Sequence, residues 1–440
     1  MERYSSYKPT SMQWLKEIPS HWEVEPFARH FSYGKGLPIT KADLTQEGVA
    51  VISYGQVHSK LNKGTTISDE LVRFVSPNYM ESHPQCLLNK GDFVFADTSE
   101  DIEGSGNFAF NDYTDSIFAG YHTVVAKPKD LPYPKYHAYL FQSLNWKSQI
   151  QSLVNGVKVY SIGKGHLKKS YLLLPPLAEQ EKIVKYLDGK TSKIDTYVAD
   201  KEKEIQLLQE LKQKTIAEAV TKGLNPIVKM KDSGISWIGM IPEHWVQYRF
   251  ATLFKEKSIC NCVNEELLSV YLDRGVIRFS EDNSRRTNPT SKDLSKYQLV
   301  DIGNFVLNNQ QAWRGSVGVS KYRGIISPAY FIFTISPKID IEFANYLLRS
   351  TSCVAYYHLC SKGIGSIQRN LDWSVLRQKR IAIPPIDEQR SIVTYIEEKC
   401  QKIDTLITEL QAEIDYLKEY KQRLIADVVT GQVNVQNEMI

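Results

Sequence analysis

The sequence predicts an α+β fold built twice: two similar mixed α/β domains joined by two long helices, which pair as an antiparallel coiled coil with pseudo-two-fold symmetry. Three observations predict it. An aromatic opening, WLKEIPSHWEVEPFARHF at 14–31, returns as WIGMIPEHWVQYRFATLF at 237–254, an offset of 223 residues. A proline-led segment, LLLPPLAEQEKIVKYLDGKTSKIDT at 172–196, returns as IAIPPIDEQRSIVTYIEEKCQKIDT at 381–405, an offset of 209. Each proline-led segment then runs on as heptads. Self-similarity over so long a period marks a duplicated architecture. A chain of 440 residues is also long for one compact lump, taking about 150 residues per domain. It divides into a first domain with its N-terminal segment (1–172), a central coiled-coil helix (173–225), a second domain (226–380) and a C-terminal coiled-coil helix (381–440).

In the first domain VAVISYGQV (49–57), DFVFAD (92–97) and YHTVVAKP (121–128) are rich in β-branched and aromatic residues and bounded by Gly, Pro or Asn, as strands are. KYHAYLFQSLNWKSQIQSL (135–153) carries apolar residues at helical spacing. Pro175-Pro176 close an apolar run and open the first long helix, because proline biases its predecessor away from helix and fits a helix's first turn. From 177 to about 222 that helix extends roughly 70 Å. Its seam, Leu187, Ile194, Val198, Ile205 and Leu208, is interrupted by Lys201, Lys212 and Thr215. The second domain repeats the scheme with strands NFVLNN (304–309) and YFIFTISP (330–337) and the helical tract IEFANYLLRSTSCVAYYHL (341–359). Pro384-Pro385 open the second long helix, whose seam of Ile396, Ile403, Ile407, Leu410, Ile414, Leu417, Leu424 and Val428 holds for more than four heptads. Two domains at opposite ends of such a rod let one chain imitate a homodimer.

Composition narrows the function. Hydrophobic content of 42% with 24% charged residues excludes a disordered or fibrous chain. No apolar stretch approaches the roughly 18 residues of a membrane span, and the opening lacks a signal-peptide run, so a cytoplasmic location with no membrane association is expected. Six cysteines, none in a C-x-x-C pair, predict neither a disulfide framework nor a zinc site; Cys260 and Cys262 are expected in the core. The net charge of +4 is small, but residues 247–380 hold 19 Lys+Arg against 11 Asp+Glu, whereas 23–172 balance at 15 and 15. Basic surface therefore concentrates in the second domain. No phosphate-binding G-x-x-x-x-G-K-[ST] loop, no G-x-G-x-x-G helix start and no N-P-P-[YF] or D-P-P-[YF] methylase motif occurs, so neither catalysis nor a cofactor is expected. The acidic run Asp92, Asp97, Glu100, Asp101 and Glu103 reads as a solvated loop rather than a metal site, because the second copy places Asn308, Asn309, Gln310 and Gln311 there.

The doubled PPLAEQEKIV and PPIDEQRSIV helix starts, the doubled W-x-x-x-IP-x-HWxV openings and NNQQAWRGSVGVSKYRGIISPAYFIF (308–333) resemble the specificity subunit of type I restriction-modification systems over nearly the whole chain. The resemblance implies two target-recognition domains, each reading one half of a bipartite site in double-stranded DNA. It further implies helices that set the spacer and dock two methylation subunits. Restriction and motor subunits would supply ATP-dependent cleavage, and this chain would be non-catalytic. Two readings from other classes stay open: a scaffold whose domains bind protein, and a nuclease or methyltransferase lacking familiar motifs.

DNA readers need phosphate contacts that position and base contacts that specify. Asn308, Asn309, Gln310, Gln311 and Arg314 follow a strand, and amides suit adenine while arginine suits guanine; a polar turn with Trp313 in the core is the plainer alternative. The matching stretch of the first domain offers Ser99 and Asn107, with Thr98 and Ser105 beside them. Tyr54, Gln56, His58, Lys60 and Lys63 answer to Arg274, Arg278, Arg285 and Arg286, either as DNA contacts or as solvated surface. Lys164 and Lys168, and Gln368 and Arg369, stand just ahead of the proline pairs, where they would flank the duplex. The doubled Glu179-Gln180 and Glu388-Gln389 suit helix capping or subunit docking, since acids favour a helix's positive end and a Gln there can satisfy free backbone donors. Ile183, Val184, Ile392 and Val393 are expected docking anchors, packing on their own domain being the alternative. Trp22 and Trp245 belong in the core.

Overall fold

A computed structural model describes residues 2–113, 115–154, 159–235, 238–272, 274–281, 293–363 and 369–438. The chain forms two compact units, Met1–Lys201 with Ala412–Ile440, and Glu202–Gln411. Each unit therefore owns one mixed domain and a stretch of both long helices, Leu177–Lys222 and Ile386–Val429.

In the first unit an antiparallel four-stranded sheet runs in the order Phe31–Lys35, Thr123–Pro128, Phe93–Ala96, Phe108–Phe110. The second unit repeats it as Phe254–Lys257, Tyr330–Ile335, Phe305–Asn308, Val317–Val319. Aromatic side chains on these strands need a cover, and the helical tracts supply it. Phe141 and Trp146 pack 4.3 Å apart between ring centroids, with Phe27, Phe93 and Phe95 around them. In the second unit Phe250, Phe254, Phe305 and Phe333 form the corresponding group, with Trp373 against Phe333 at 4.5 Å. Burying each such ring contributes on the order of 1.5–3 kcal/mol.

Each helical tract is broken in two, which the unbroken apolar spacing does not announce: Pro134–Gln142 and Leu144–Gln151, then Ile341–Arg349 and Thr351–Leu359. The break is a serine both times. Ser143 accepts from Trp146 N and donates to Leu140 O, while Ser350 accepts from Cys353 N and donates to Leu347 O. One hydroxyl thus ends one helix and caps the next.

The aromatic openings and the strands before the proline pairs are partners. Glu23–Pro26 pairs antiparallel with Tyr171–Leu174, and Val246–Arg249 with Arg380–Ile383. Outside this shared frame the domains differ. The first adds a sheet ordered Ile117–Ala119, Val49–Ile52, Arg73–Val75; the second adds the hairpin Leu268–Tyr271 with Gly275–Arg278 and the pair Gln298–Val300 with Gly324–Ile326.

Within each unit the helix stretches pair antiparallel along the heptad seam. Ile396, Ile403, Leu410, Ile414, Leu424 and Val428 are buried, as are Leu187, Ile194 and Val198. The two lysines of the seam are ion-paired: Lys201 reaches Glu413 at 3.3 Å and Lys212 reaches Asp404 at 2.7 Å. Asp195 with Lys421 completes the set. Among the described residues no helix is long and apolar enough to cross a membrane, and no group of three His, Cys, Asp or Glu side chains could hold a metal.

Two expectations need correction. Cys260 is exposed and Cys262 half-exposed, on an irregular segment around Asn261 (φ 68°) rather than on a strand or helix packed in the core. Asp92 is buried, not solvated: it accepts from Asn89 N at 2.8 Å, and Lys127 stands 3.9 Å away. Burial raises the Asp92 pKa, against that hydrogen bond and the lysine.

Both long helices end on a left-handed glycine that packs on an opening tryptophan. A Cβ on Gly431 (φ 72°) would sit 2.5 Å from Pro19 Cδ and 3.1 Å from the Trp22 ring; one on Gly223 (φ 75°) would meet Glu388 at 3.1 Å and the Trp245 ring at 3.4 Å. Gly431→Ala is expected to lower the thermal midpoint more than Gly223→Ala. Both carry the left-handed penalty of about 1–2 kcal/mol, but only the first collides with a rigid proline ring. Equal midpoints in calorimetry would contradict this packing argument.

Candidate nucleic-acid interface

The helix starts are built from the same parts twice. Glu179, in the first turn of its helix and buried, accepts from Trp22 Nε1 at 3.1 Å and from the Tyr4 hydroxyl, and lies 2.9 Å from His21 Nε2. Glu388 accepts from Trp245 Nε1 at 3.1 Å and lies 2.7 Å from His244 Nε2. Gln180 Nε2 donates to Pro175 O, and Gln389 Nε2 to Pro384 O, both at 2.8 Å. The glutamines therefore satisfy carbonyls preceding the helix rather than its free N–H groups, correcting the capping expectation. Gln389 also ties in its domain, accepting from Asp340 N and donating to Lys338 O. Trp22 and Trp245 are core residues, as expected. Ile183, Val184 and Ile392 are wholly buried and Val393 partly so, packed within their own unit.

In the first unit Tyr54, His58, Ser99 and Asn107 line one cleft of about 700 Å³, with Thr98, Asp101, Glu103 and His122. The residues come from a short helix, Tyr54–Val57, preceded by Ser53, whose N–H donates to Gln56 Oε1, and from the loop after Phe93–Ala96. Their polar groups form a chain. Lys147 Nζ donates to Asn107 Oδ1 at 2.6 Å, Asn107 Nδ2 lies 3.1 Å from His58 Nδ1, and His58 Nε2 lies 2.8 Å from Thr98 O. Burial lowers the Lys147 pKa to about 8. Lys60 is exposed, Lys63 stands 3.7 Å from Asp195, and the exposed Lys164 and Lys168 occupy the short helix Lys164–Lys168.

In the second unit Phe305–Asn308 leads into a turn and the 3₁₀ segment Ala312–Arg314. Asn308 donates to the Tyr330 hydroxyl and accepts from Gln310 N, and Asn309 accepts from Leu371 N, so both amides are engaged. Gln310 and Arg314 are exposed and Gln311 half-exposed. Trp313 is half-buried rather than core; its ring lies 6.0 Å from that of His358, whose Nε2 accepts from Arg369 at 3.1 Å. Arg274 lies over the Tyr271 ring, and Arg278 lies over Tyr322 and pairs with Glu266. Arg285, Arg286 and Gln368 lie outside the described residues.

Sequence reasoning missed two features. Lys147 reads as one more polar residue of a helical tract. The other is a set of exposed apolar side chains on the long helices at matched positions of both units: Tyr197, Tyr416 and Tyr420 are 63%, 66% and 38% exposed in the first, and Leu406, Leu207 and Leu211 are 47%, 56% and 50% exposed in the second. The offset of 209 that aligns the helix starts aligns all three pairs and was the available signal.

The family model for the type I restriction modification DNA specificity domain matches residues 29–207 and again 246–416, one copy per repeat. The chain belongs to the type I restriction-modification specificity family. This specificity subunit is 29% identical to the MjaVIII specificity subunit of Methanocaldococcus jannaschii over 322 residues, covering 68% of this chain and 71% of that one. It is 20% identical to the EcoKI specificity subunit of Escherichia coli over 446 residues, covering 96% and 91%. A chain from a solved type I R-M system assembly shares the fold, with a TM-score of 0.66 at 15% identity over 94% of this chain and 99% of that one.

In this specificity subunit the Glu179 side chain is 8% exposed and that of Glu388 29%. Glu179→Ala is therefore expected to lower the urea midpoint more than Glu388→Ala. It strands a buried indole N–H, at about 1–3 kcal/mol, whereas water can reach the second site more readily. Matching midpoints would show that the two sites are energetically alike.

Proposed function

We propose that this specificity subunit binds double-stranded DNA at a bipartite, asymmetric target, each recognition domain reading one half-site while the paired helices set the gap. The observation that carries the reading is the pairing of a repeated frame with unrepeated surfaces. The sheets, serine breaks and glutamate sites recur in both units, yet the side chains mounted on them differ: Lys147, Asn107 and His58 in one, Trp313, His358 and Arg369 in the other. A constant frame with unlike surfaces suits a reader of two different half-sites. The segments 1–172 and 226–380 are the recognition domains in this reading, and 173–225 and 381–440 the spacer. Lys60, Lys63, Lys164, Lys168, Arg274, Arg278, Arg285, Arg286 and Arg369 contact phosphates, and Gln310, Gln311 and Arg314 face base edges.

The subunit is non-catalytic in this reading and works in the cytoplasm, with two methylation subunits docked on the helices and restriction or motor subunits beyond them. The matched side chains Tyr197, Tyr416, Tyr420 and Leu406, Leu207, Leu211 support two like partners, because each unit offers the same three positions. They are better docking candidates than Ile183, Val184 and Ile392, which are already covered.

Selection from random duplexes by the subunit co-purified with its methylation partner is expected to enrich two short blocks around a fixed gap. Exchanging 247–380 for a relative's equivalent segment should change one block only. Recovery of unrelated sequences with no dependence on salt would falsify the reading. For the docking faces, Tyr416→Glu should leave the melting temperature nearly unchanged, since the side chain is exposed. It should convert a two-to-one complex into a one-to-one complex by native mass spectrometry; retention of both partners would remove these side chains as a docking face.

A further inference from the structure

The reading above gives Lys147 no contact to DNA of its own, and its surroundings are unusual for a lysine in a helix. Its stem lies beside Asn62, Lys63, Phe108 and Gln142 around a cavity of about 110 Å³, and its ammonium ends on Asn107. A lysine ammonium can only donate hydrogen bonds, so it fixes which end of the Asn107 amide faces it: the oxygen. The amide nitrogen is thereby turned to His58 Nδ1, which must accept. His58 Nε2 then carries the hydrogen and donates to Thr98 O, a carbonyl that can only accept. Donor and acceptor polarity is set along the chain from both ends, by an ammonium that can only donate and a carbonyl that can only accept.

The elements beneath it are rigid. Lys147 stands on the helix capped by Ser143. Asn107 is held through its own backbone on both sides, its N–H to Gly104 O at 3.0 Å and its carbonyl to Ala96 N at 3.1 Å. His58 follows the short helix through its N–H to Tyr54 O at 2.9 Å. His58 has both ring nitrogens engaged and no polar edge left for a base. Asn107 still has one N–H and one oxygen lone pair, and it lines the open cleft as well as the small cavity.

We propose that Lys147 is a positioning residue for base specificity in the first recognition domain: it locks the Asn107 amide in one polarity, so that its spare acceptor and donor read the N6 and N7 edge of an adenine in one half-site. Such a bidentate contact discriminates by about 1–3 kcal/mol, roughly fivefold or more at one base position. Without the ammonium one of the two constraints on the amide is lost, and only His58, held by Thr98 O, still favours this order. The proposal rests on the DNA-recognition reading.

The test compares Lys147→Met, Lys147→Arg and the unaltered subunit, each in complex with the methylation partner, by selection from random duplexes and by binding to a shuffled duplex. The methionine variant is expected to lose at least about fivefold preference at one adenine of one block. The other block and the affinity for the shuffled duplex should stay unchanged, and the arginine variant, which keeps the donors, should recover the preference. An unchanged motif with Lys147→Met overturns the proposal. So does a uniform loss across all positions of that block with a lowered melting temperature, which marks a purely structural lysine. Failure of the unaltered complex to enrich any motif is a different result, and takes down the reading on which the proposal rests.

Discussion

A carboxylate hydrogen-bonded to an indole N–H fixes where each long helix begins. Glu179 with Trp22 and Glu388 with Trp245 join three segments far apart in sequence: a domain's opening, the first turn of the helix that follows it, and the glycine that ends the other helix. Hydrogen bonds to a charged partner are worth more than neutral ones, and the buried indole has no water to fall back on. The antiparallel strand pair behind each tryptophan, and the glutamines tied to the carbonyls before the helices, depend on that junction holding its shape. A domain fastened so close to the helix transmits its orientation to the rod.

The polar interruptions of the heptad seam follow the same economy. Lys201 and Lys212 weaken an apolar stripe, yet each finds a carboxylate on the facing helix. Isolated pairs at this exposure add little stability. Their effect is on alignment, since a helix slipped along its partner would leave them facing apolar residues.

Much of the frame was legible because duplication and heptads are patterns in sequence order. The proline pairs, the seams and the buried Trp22 and Trp245 could be read directly. The breaks at Ser143 and Ser350 could not, because apolar spacing runs through a serine without a change of period, and only the hydroxyl's two hydrogen bonds reveal the turn. Asp92 lay in an acidic run and looked solvated; a single backbone N–H explains its burial. For the interface, residue type located the cleft of Tyr54, His58, Ser99 and Asn107 but not how its groups are used. His58 has the chemistry to read a base, but the chain through Asn107 and Thr98 occupies it. Which hydrogen bonds a side chain has already made is a property of three dimensions.

The two units differ in how one junction is closed. In the second, the chain runs without a break from Gly223, past the first long helix, into the strand Met230–Asp232. In the first, the end of the second long helix meets the opening through contacts alone: Asn434 N donates to Glu2 O at 2.9 Å, the Tyr7 hydroxyl donates to Gly431 O, and Gln432 donates to Glu17 O. Under mechanical load the two junctions are therefore unequal. Tension between residues 2 and 434 falls on those hydrogen bonds and on the packing of Gly431 against Pro19 and Trp22, while the matching joint of the second unit carries the same force along its backbone.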